Sequence, residues 1–213
     1  MNTKVKICGL TTEADIDAAL ECGADYIGLV FFEPSPRNVS IKDGKRLAQY
    51  VARRTKIVAL MVNADDTLVN KIASEVRPDI CQLHGNESIE RIGRIAALTG
   101  CEMMKVIKVA SQEDAEQALT YKDISDYILF DAKAPKGSPL PGGNGLQFDW
   151  RALETVKSKI DYMLSGGLTP ENVQQAIQLT GAHTVDVSSG VESAPGRKDP
   201  ARIRAFLHAA KGL

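Results

Sequence analysis

The chain repeats one pattern along its length: a short apolar run, a polar or glycine-containing break, and a stretch with regularly spaced apolar residues. Runs such as VKICG, DYIGLVFF and KIVALMV are rich in valine, isoleucine and leucine. Such runs are typical of parallel strands that are buried on both faces. The stretches between them carry apolar residues every three or four positions, which indicates amphipathic helices. The pattern therefore predicts alternating strands and helices.

Eight of these units follow one another. The predicted strands lie in VKICG, DYIGLVFF, KIVALMV, DICQLHG, EMMKVIKV, DYILFDA, DYMLSGG and HTVDVSSG. Thr12 is expected to cap the first helix, and Pro170 to be the first helical residue of the seventh. The other predicted helices cover about 41–52, the residues after Asp65, about 88–98, about 113–119, a segment through Leu153 and Val156, and about 203–209.

Eight evenly spaced strand and helix units favour a closed (β/α)8 (TIM) barrel, in the α/β fold class. The chain of 213 residues forms a compact example, and residues 1–213 are predicted to be a single catalytic domain. The alternative is a doubly wound open sheet. No G-x-G-x-x-G follows the first strand, which weakens that alternative.

Composition and charge narrow the class of partner. The formal net charge is -1, so no overall basic excess points to nucleic acid or to a membrane surface, and a small-molecule partner is expected. Four scattered cysteines without a C-x-x-C pair and the absence of a signal-like or membrane-length segment predict a reduced, cytoplasmic setting. The three histidines lie at 84, 183 and 208, not at metal-ligand spacing, so no metal is expected.

Two strand-end residues suggest acid and base chemistry. In a closed barrel the carboxyl ends of all strands meet on one face, so Cys8 and Asp131 are expected to flank one cavity. A thiolate can take a proton from carbon, and a protonated carboxyl can give one to oxygen. The simpler alternatives are a cysteine that packs as a small apolar residue and an aspartate that caps a loop.

Glycine-rich loops after the last strands point to phosphate binding. SGGL (165–168) and SSGVE (188–192) follow the seventh and eighth strands, where barrels of this type commonly hold a phosphate. PGGNG (141–145) lies in a long loop after the sixth strand and suits a flap, although it could equally be a tolerated insertion. The candidate phosphate-binding residues are Gly142, Gly143, Gly145, Gly166, Gly167, Ser189 and Gly190.

Three further polar residues are candidates for substrate binding. Asp186 is another strand-end carboxylate that either orients groups or holds the backbone. Arg37 is a surface charge unless its loop folds inward, where its planar fork would grip a carboxylate. His84 ends the fourth predicted strand and is either a polar group at the barrel rim or part of the site.

The chain resembles the phosphoribosylanthranilate isomerase family of tryptophan biosynthesis over essentially its full length. The matching segments, in the family's order and spacing, are KICGLT, FFEPSPRNVS, QLHGNE, LFDA, GGNGLQFDW, SGGLTPENV and DVSSGVE. The resemblance implies an Amadori rearrangement of N-(5-phosphoribosyl)anthranilate to 1-(2-carboxyphenylamino)-1-deoxyribulose 5-phosphate. It also implies a small phosphosugar-anthranilate substrate, no cofactor, and a monomer or homodimer.

The matched positions imply roles for individual residues. Asp131 corresponds to the general acid, Cys8 to the general base, and Arg37 to the residue that receives the anthranilate carboxylate. Two positions depart from the family pattern. Asn144 replaces a usual Ser or Thr and puts one hydroxyl contact to phosphate in question, and Asn38 replaces a common aromatic residue that would wall the anthranilate ring.

Three other functions would require different residues. An indole-glycerol-phosphate synthase would be expected to show catalytic lysine and glutamate residues at strand ends. A pentose-phosphate epimerase would require paired aspartates and histidine metal ligands, which the spacing does not supply. A phosphate-ligand sensor that has lost the reaction would be expected to lack Cys8 or Asp131, and both are present.

Overall fold

The computed structural model describes residues 3–135, 137–138 and 140–212; Lys136 and Pro139, in the long loop after the sixth strand, lie outside the described residues. Eight parallel strands close into a barrel in chain order. They are β1 Lys4–Cys8, β2 Tyr26–Phe31, β3 Lys56–Met61, β4 Ile80–Leu83, β5 Glu102–Val109, β6 Tyr127–Ala132, β7 Met163–Leu164 and β8 Thr184–Val187. The predicted (β/α)8 barrel is confirmed, and the open-sheet alternative is wrong.

The outer layer consists of helices between the strands. They are α1 Glu13–Glu21, α2 Ile41–Val51, α3 Asp66–Lys71 with a π-helical turn Ile72–Val76, α4 Ile89–Thr99, α5 Gln112–Glu116, α6 Ala118–Tyr121, α7 Val173–Thr180 and α8 Pro200–Lys211. Polar caps fix where the first four begin, because the side chains of Thr12, Ser40, Asp65 and Ser88 each accept a backbone N–H three residues on. Across the described ranges no helix is long and apolar enough to cross a membrane.

Three predicted helices differ in the structure. The helix expected over 113–119 is divided into α5 and α6 at Gln117. The segment through Leu153 and Val156 forms only a 3₁₀ turn, Trp150–Leu153, followed by further turns. Its Thr155, Val156 and Ser158 are weak helix formers, which explains the missing α-helix. Pro170 lies in the turn that precedes α7, and the helix itself begins at Val173.

The end of the chain contains a feature that the sequence pattern did not predict. A two-stranded antiparallel ribbon, β9 Glu192–Ala194 and β10 Arg197–Lys198, follows β8. The closing helix is longer than the predicted 203–209, because Asp199 caps it by accepting the N–H groups of Ala201 and Arg202. Pro200 occupies its first position, where a missing N–H costs nothing.

The barrel interior is filled with apolar side chains toward the amino ends of the strands and is polar at their carboxyl ends. Seven buried side chains from the strands form a separate apolar cluster: Tyr26, Val58, Ile80, Met104, Val106, Leu129 and Met163. Side chains two residues further along a strand point to the same face. The side chains on the inner face therefore change from apolar to polar along the strands. The change is from Ile80 to Gln82 on β4, from Leu129 to Asp131 on β6, and from Met163 to Ser165 after β7. This change places polar groups at the carboxyl ends of the strands, where barrel enzymes have their sites.

Candidate active site

A cavity that is partly open to solvent lies at the carboxyl ends of the strands. Its empty space, counted together with the adjoining open solvent, is about 760 Å³. Its apolar wall includes Val30, Phe32, Leu60, Val62, Leu140 and Leu146. Its polar residues include Cys8, Arg37, Gln82, His84, Asp131, Ser165, Asp186 and Ser189.

Cys8 and Asp131 line this one cavity, and both are buried. Cys8 is the last residue of β1 and packs against Gly28 of β2, where an added Cβ would lie 2.9 Å from the sulfur. Asp131 Oδ1 accepts the N–H of Ala132 at 2.9 Å, and Oδ2 lies 3.3 Å from His84 Nε2. The structure thus brings the two candidate residues to one cavity.

A buried ion pair lies beside Cys8. Lys6 is two residues before Cys8 on the inner face of β1, and its Nζ lies 2.9 Å from Asp186 Oδ1. Ser165 donates its hydroxyl to the other oxygen of Asp186 at 3.2 Å. Burial alone would lower the pKa of Lys6, but the Asp186 carboxylate and Cys8 outweigh burial and raise it. Asp186 therefore holds a buried cation in place as well as lining the cavity.

The thiol of Cys8 is under two opposing influences. Burial raises its pKa, since it disfavours the charged thiolate. The positive charges of Lys6 and Lys198 act in the opposite direction, while Asp186 reinforces burial. The net pKa is above that of an ordinary thiol, and the two lysines limit the increase.

Arg37 folds inward, as the sequence allowed, and is held by Glu192. Arg37 Nε and Nη2 lie 2.7 Å and 2.9 Å from the two carboxylate oxygens of Glu192, and Nη2 also donates to the Gly143 carbonyl at 3.2 Å. Lys198, brought in by the β9–β10 ribbon, donates to the same Glu192 at 2.7 Å. Burial alone would raise the pKa of Glu192, but Arg37 and Lys198 outweigh burial and lower it. The carboxylate is therefore ionised.

One nitrogen of the Arg37 guanidinium, Nη1, remains for a ligand. Among the described residues, none accepts a hydrogen bond from Nη1, and Arg37 lines the cavity. The charges of Arg37, Lys198 and Glu192 sum to +1. The cavity consequently offers a planar cationic edge to an anionic group.

Most of the predicted phosphate-binding residues line the cavity: Gly142, Gly143, Gly145, Gly166, Gly167 and Ser189. The loop that carries Gly142 closes over the site, since an added Cβ there would lie 2.6 Å from His84 Nε2. Gly166 and Gly167 have positive φ values of 90° and 65°, a region that favours glycine. Gly190 differs from the others. It lies outside the lining and packs so closely on Leu168 that an added Cβ would meet the Leu168 carbonyl oxygen at 1.9 Å.

The two departures from the family pattern differ in position, because Asn144 lines the cavity and Asn38 does not. The side chain of Asn144 donates to the Leu140 carbonyl at 3.2 Å and so stabilises its own loop. Asn38 is exposed and is not part of the cavity lining. Phe32 and Val62 supply an apolar wall in the same cavity as Arg37.

Sequence reasoning missed four of the residues that shape this site. Lys6 and Gln82 had a readable signal, because each lies two residues before a candidate, Cys8 or His84, and so shares its face of the strand. Glu192 and Lys198 gave no comparable signal. Their positions depend on how the β9–β10 ribbon folds back over β1 and β8.

The fold and the location of its cavity define a (β/α)8-barrel enzyme for a small anionic substrate. The family model for N-(5'-phosphoribosyl)anthranilate (PRA) isomerase matches residues 5–209. The chain therefore belongs to this family, and it is an isomerase of tryptophan biosynthesis.

Individual relatives agree with the family assignment. The N-(5'-phosphoribosyl)anthranilate isomerase of Parvibaculum lavamentivorans is 49% identical over 213 residues, covering 99% of each chain. The corresponding protein of Cereibacter sphaeroides is 51% identical over 208 residues, covering 98% of each chain. The crystal structure of phosphoribosyl anthranilate isomerase from Thermotoga maritima is 37% identical, with a TM-score of 0.89 over 99% of this chain and 100% of that one.

A further crystal structure of a phosphoribosyl anthranilate isomerase contains a ligand. It was solved in complex with reduced 1-(o-carboxyphenylamino)-1-deoxyribulose 5-phosphate. It is 36% identical to this chain, with a TM-score of 0.87, and covers 99% of this chain and 100% of its own.

Proposed function

We propose that the chain carries out its family's rearrangement by general acid and base catalysis at the cavity, with Asp131 as the acid and Cys8 as the base. N-(5-phosphoribosyl)anthranilate is the substrate, and 1-(2-carboxyphenylamino)-1-deoxyribulose 5-phosphate is the product. The observation that carries this proposal is that the carboxyl and the thiol, 123 positions apart along the sequence, are both buried and line one cavity.

The two anionic ends of the substrate have separate places. The phosphate binds at the glycine loops 142–145 and 166–167 with Ser189, where backbone N–H groups can approach an anion closely. The anthranilate carboxylate binds the free Nη1 edge of Arg37, and the aromatic ring lies against the apolar wall. This assignment is supported by Glu192, because its carboxylate occupies the Nε and Nη2 edge of Arg37 and leaves Nη1 for the substrate. The pentose then spans the space between Cys8 and Asp131.

Asp131 acts first. Its protonated carboxyl gives a proton to the ring oxygen of the furanose, the bond between that oxygen and C1 breaks, and the sugar opens to a protonated Schiff base. His84, 3.3 Å from Asp131 Oδ2, is placed to contact the same part of the substrate. Both are buried in the cavity, where a positioned proton donor is effective.

Cys8 acts second. Its thiolate removes the proton from C2 of the sugar, and the electron pair of that C–H bond moves toward the iminium nitrogen to give an enolamine. The enolamine then takes up a proton at C1 and loses one from the C2 hydroxyl, which yields the ketone. Lys6 and Lys198 favour the thiolate that this step requires.

The expectation that no cofactor is needed follows from this chemistry. The iminium nitrogen formed on ring opening accepts the electron pair, so the scheme requires no separate electron sink. The phosphate contributes indirectly, because binding energy from this remote group holds C2 close to the base.

Replacing Asp131 with asparagine tests the proposal. Asp131→Asn removes the proton donor but keeps the shape, so turnover of N-(5-phosphoribosyl)anthranilate should fall by about 100-fold or more. Affinity for inorganic phosphate, measured by competitive inhibition of a slow variant or by calorimetry, should be unchanged. Asp123→Asn, at an exposed position, is the matched control and should behave like the wild type. Normal turnover in Asp131→Asn would remove Asp131 from the mechanism.

A further inference from the structure

Gln82 has a buried amide oxygen without a hydrogen-bond partner among the described residues. It is the third residue of β4, only 1% of it is exposed, and it lines the cavity. Its Oε1 has no hydrogen-bond partner among the described residues. The residues paired with it on the neighbouring strands are Leu60 and Met104, and their side chains cannot supply one.

Such a group needs an explanation, because nearly all buried polar groups in proteins are hydrogen-bonded. An unpaired buried amide destabilises the free protein, and an apolar side chain of similar size would avoid that cost. A position that holds glutamine under these conditions indicates that something absent from the free chain supplies the missing bond. The cavity that Gln82 lines is the place from which that group would come.

The distribution of the unpaired atoms supports a ligand. Within the described ranges, five buried side-chain atoms lack a partner: Gln82 Oε1, His84 Nε2, Ser125 Oγ, Trp150 Nε1 and Thr155 Oγ1. Only the first two belong to residues that line the cavity. Gln82 and His84 are two positions apart and so share the inner face. His84 Nε2 lies 3.3 Å from Asp131 Oδ2, so among the described residues Gln82 Oε1 is the buried lining atom that is left without a polar partner.

We propose that Gln82 is a substrate-binding residue whose amide takes a hydroxyl of the substrate's pentose. The proposal rests on the proposed function, because it places the sugar between Cys8 and Asp131. The phosphate and the carboxylate only accept hydrogen bonds and would leave Oε1 unpaired. A hydroxyl both donates and accepts, so it satisfies the acceptor and a donor of the amide together.

Gln82→Met is the direct test, because methionine is similar in length and carries neither polar atom of the amide. For the variant, kcat/KM with N-(5-phosphoribosyl)anthranilate should fall at least about tenfold, the size expected for one lost hydrogen bond to substrate. The affinity for inorganic phosphate should stay within about twofold, since that group binds elsewhere. The Tm of the free protein should rise, because an unpaired buried amide has been removed.

Thr155→Val is the matched control. It also removes an unpaired buried polar atom, but one outside the cavity. It should raise Tm and leave kcat/KM unchanged. A glutamine with a purely structural role would show the opposite pattern in Gln82→Met, a lower Tm with kcat/KM close to the wild type, and this result would overturn the proposal.

Binding of reduced 1-(o-carboxyphenylamino)-1-deoxyribulose 5-phosphate, measured by calorimetry, separates this proposal from the proposed function. If the wild type binds this compound at least about tenfold more tightly than Gln82→Met, the role of Gln82 stands even where turnover fails. Equal affinities would overturn it even where the wild type is fully active. If Gln82→Met does not fold, Gln82→Leu also removes both polar atoms of the amide and introduces no buried charge. In that variant an unchanged affinity overturns the proposal, and a loss supports it.

Discussion

Individual residues around Cys8 act on the pKa of this thiol, which we propose as the base. Burial raises the pKa of Cys8, and the two lysines oppose it. Each lysine is held by a carboxylate, Lys6 by Asp186 and Lys198 by Glu192. Truncating a lysine while its carboxylate stays would therefore change the charge beside the thiol by one unit.

Lys198→Met tests this electrostatic role. Without the cation the pKa of Cys8 should rise further, since Lys198 lowers it in the intact site. A higher pKa means less thiolate at any given pH, so the rising limb of kcat/KM against pH should move to higher pH. Lys42→Met, at an exposed position, should leave the profile in place. A Lys198→Met profile that coincides with the wild type would show that this lysine does not influence the base.

Some residues of the site were predictable and others were not. Cys8 and Asp131 were found because each ends an apolar run, and the barrel brings all strand ends to one face. The buried position of Arg37 was left open, since a charge in a loop has no local pattern that fixes its direction. Its position depends on Glu192, a partner 155 residues away.

At the scale of elements, the loops after β6, β7 and β8 form the wall of the site through close backbone contacts. Gly167 approaches the carbonyl of Leu146, and Gly190 approaches the carbonyl of Leu168. These contacts leave no room for a side chain. The loops therefore support one another, and a change in one loop should alter phosphate affinity at the proposed site.

Gly190→Ala and Gly93→Ala form a matched pair that tests this packing. An alanine at 190 would meet the Leu168 carbonyl at 1.9 Å, so the variant should lose about 1–3 kcal/mol of unfolding free energy and bind phosphate more weakly. An alanine at 93, inside α4, meets nothing within 4 Å and should gain up to about 1 kcal/mol. Urea unfolding and phosphate titration measure both. Equal stability of the two variants would contradict the close contact.

The sequence predicted the eight strands more reliably than it predicted where helices break or where short elements form. All eight strands follow from their apolar runs, because burial on both faces leaves a continuous signal. The break at Gln117 and the 3₁₀ turn after Asp149 were missed, since weak amphipathic patterns do not separate a helix from a series of turns. The β9–β10 ribbon was missed because its short strands carry no periodic pattern.

At the scale of the whole molecule, closure of the barrel explains why distant residues form one site. The cavity lining extends from Cys8 to Ser189, and the network behind it reaches Lys198. The Thermotoga maritima relative is a dimeric protein of which generated monomers were crystallised. For this chain, a monomer or homodimer stays a prediction.

The most direct measurement compares wild type and Cys8→Ser for conversion of N-(5-phosphoribosyl)anthranilate, followed by the loss of substrate fluorescence. Serine keeps the shape of cysteine but is a far weaker acid, so it cannot supply the anionic base. We expect the wild type to consume the substrate and kcat/KM of Cys8→Ser to fall by about 100-fold or more. A wild type that leaves the fluorescence unchanged, or a serine variant as fast as the wild type, would contradict the assignment of Cys8 as the base.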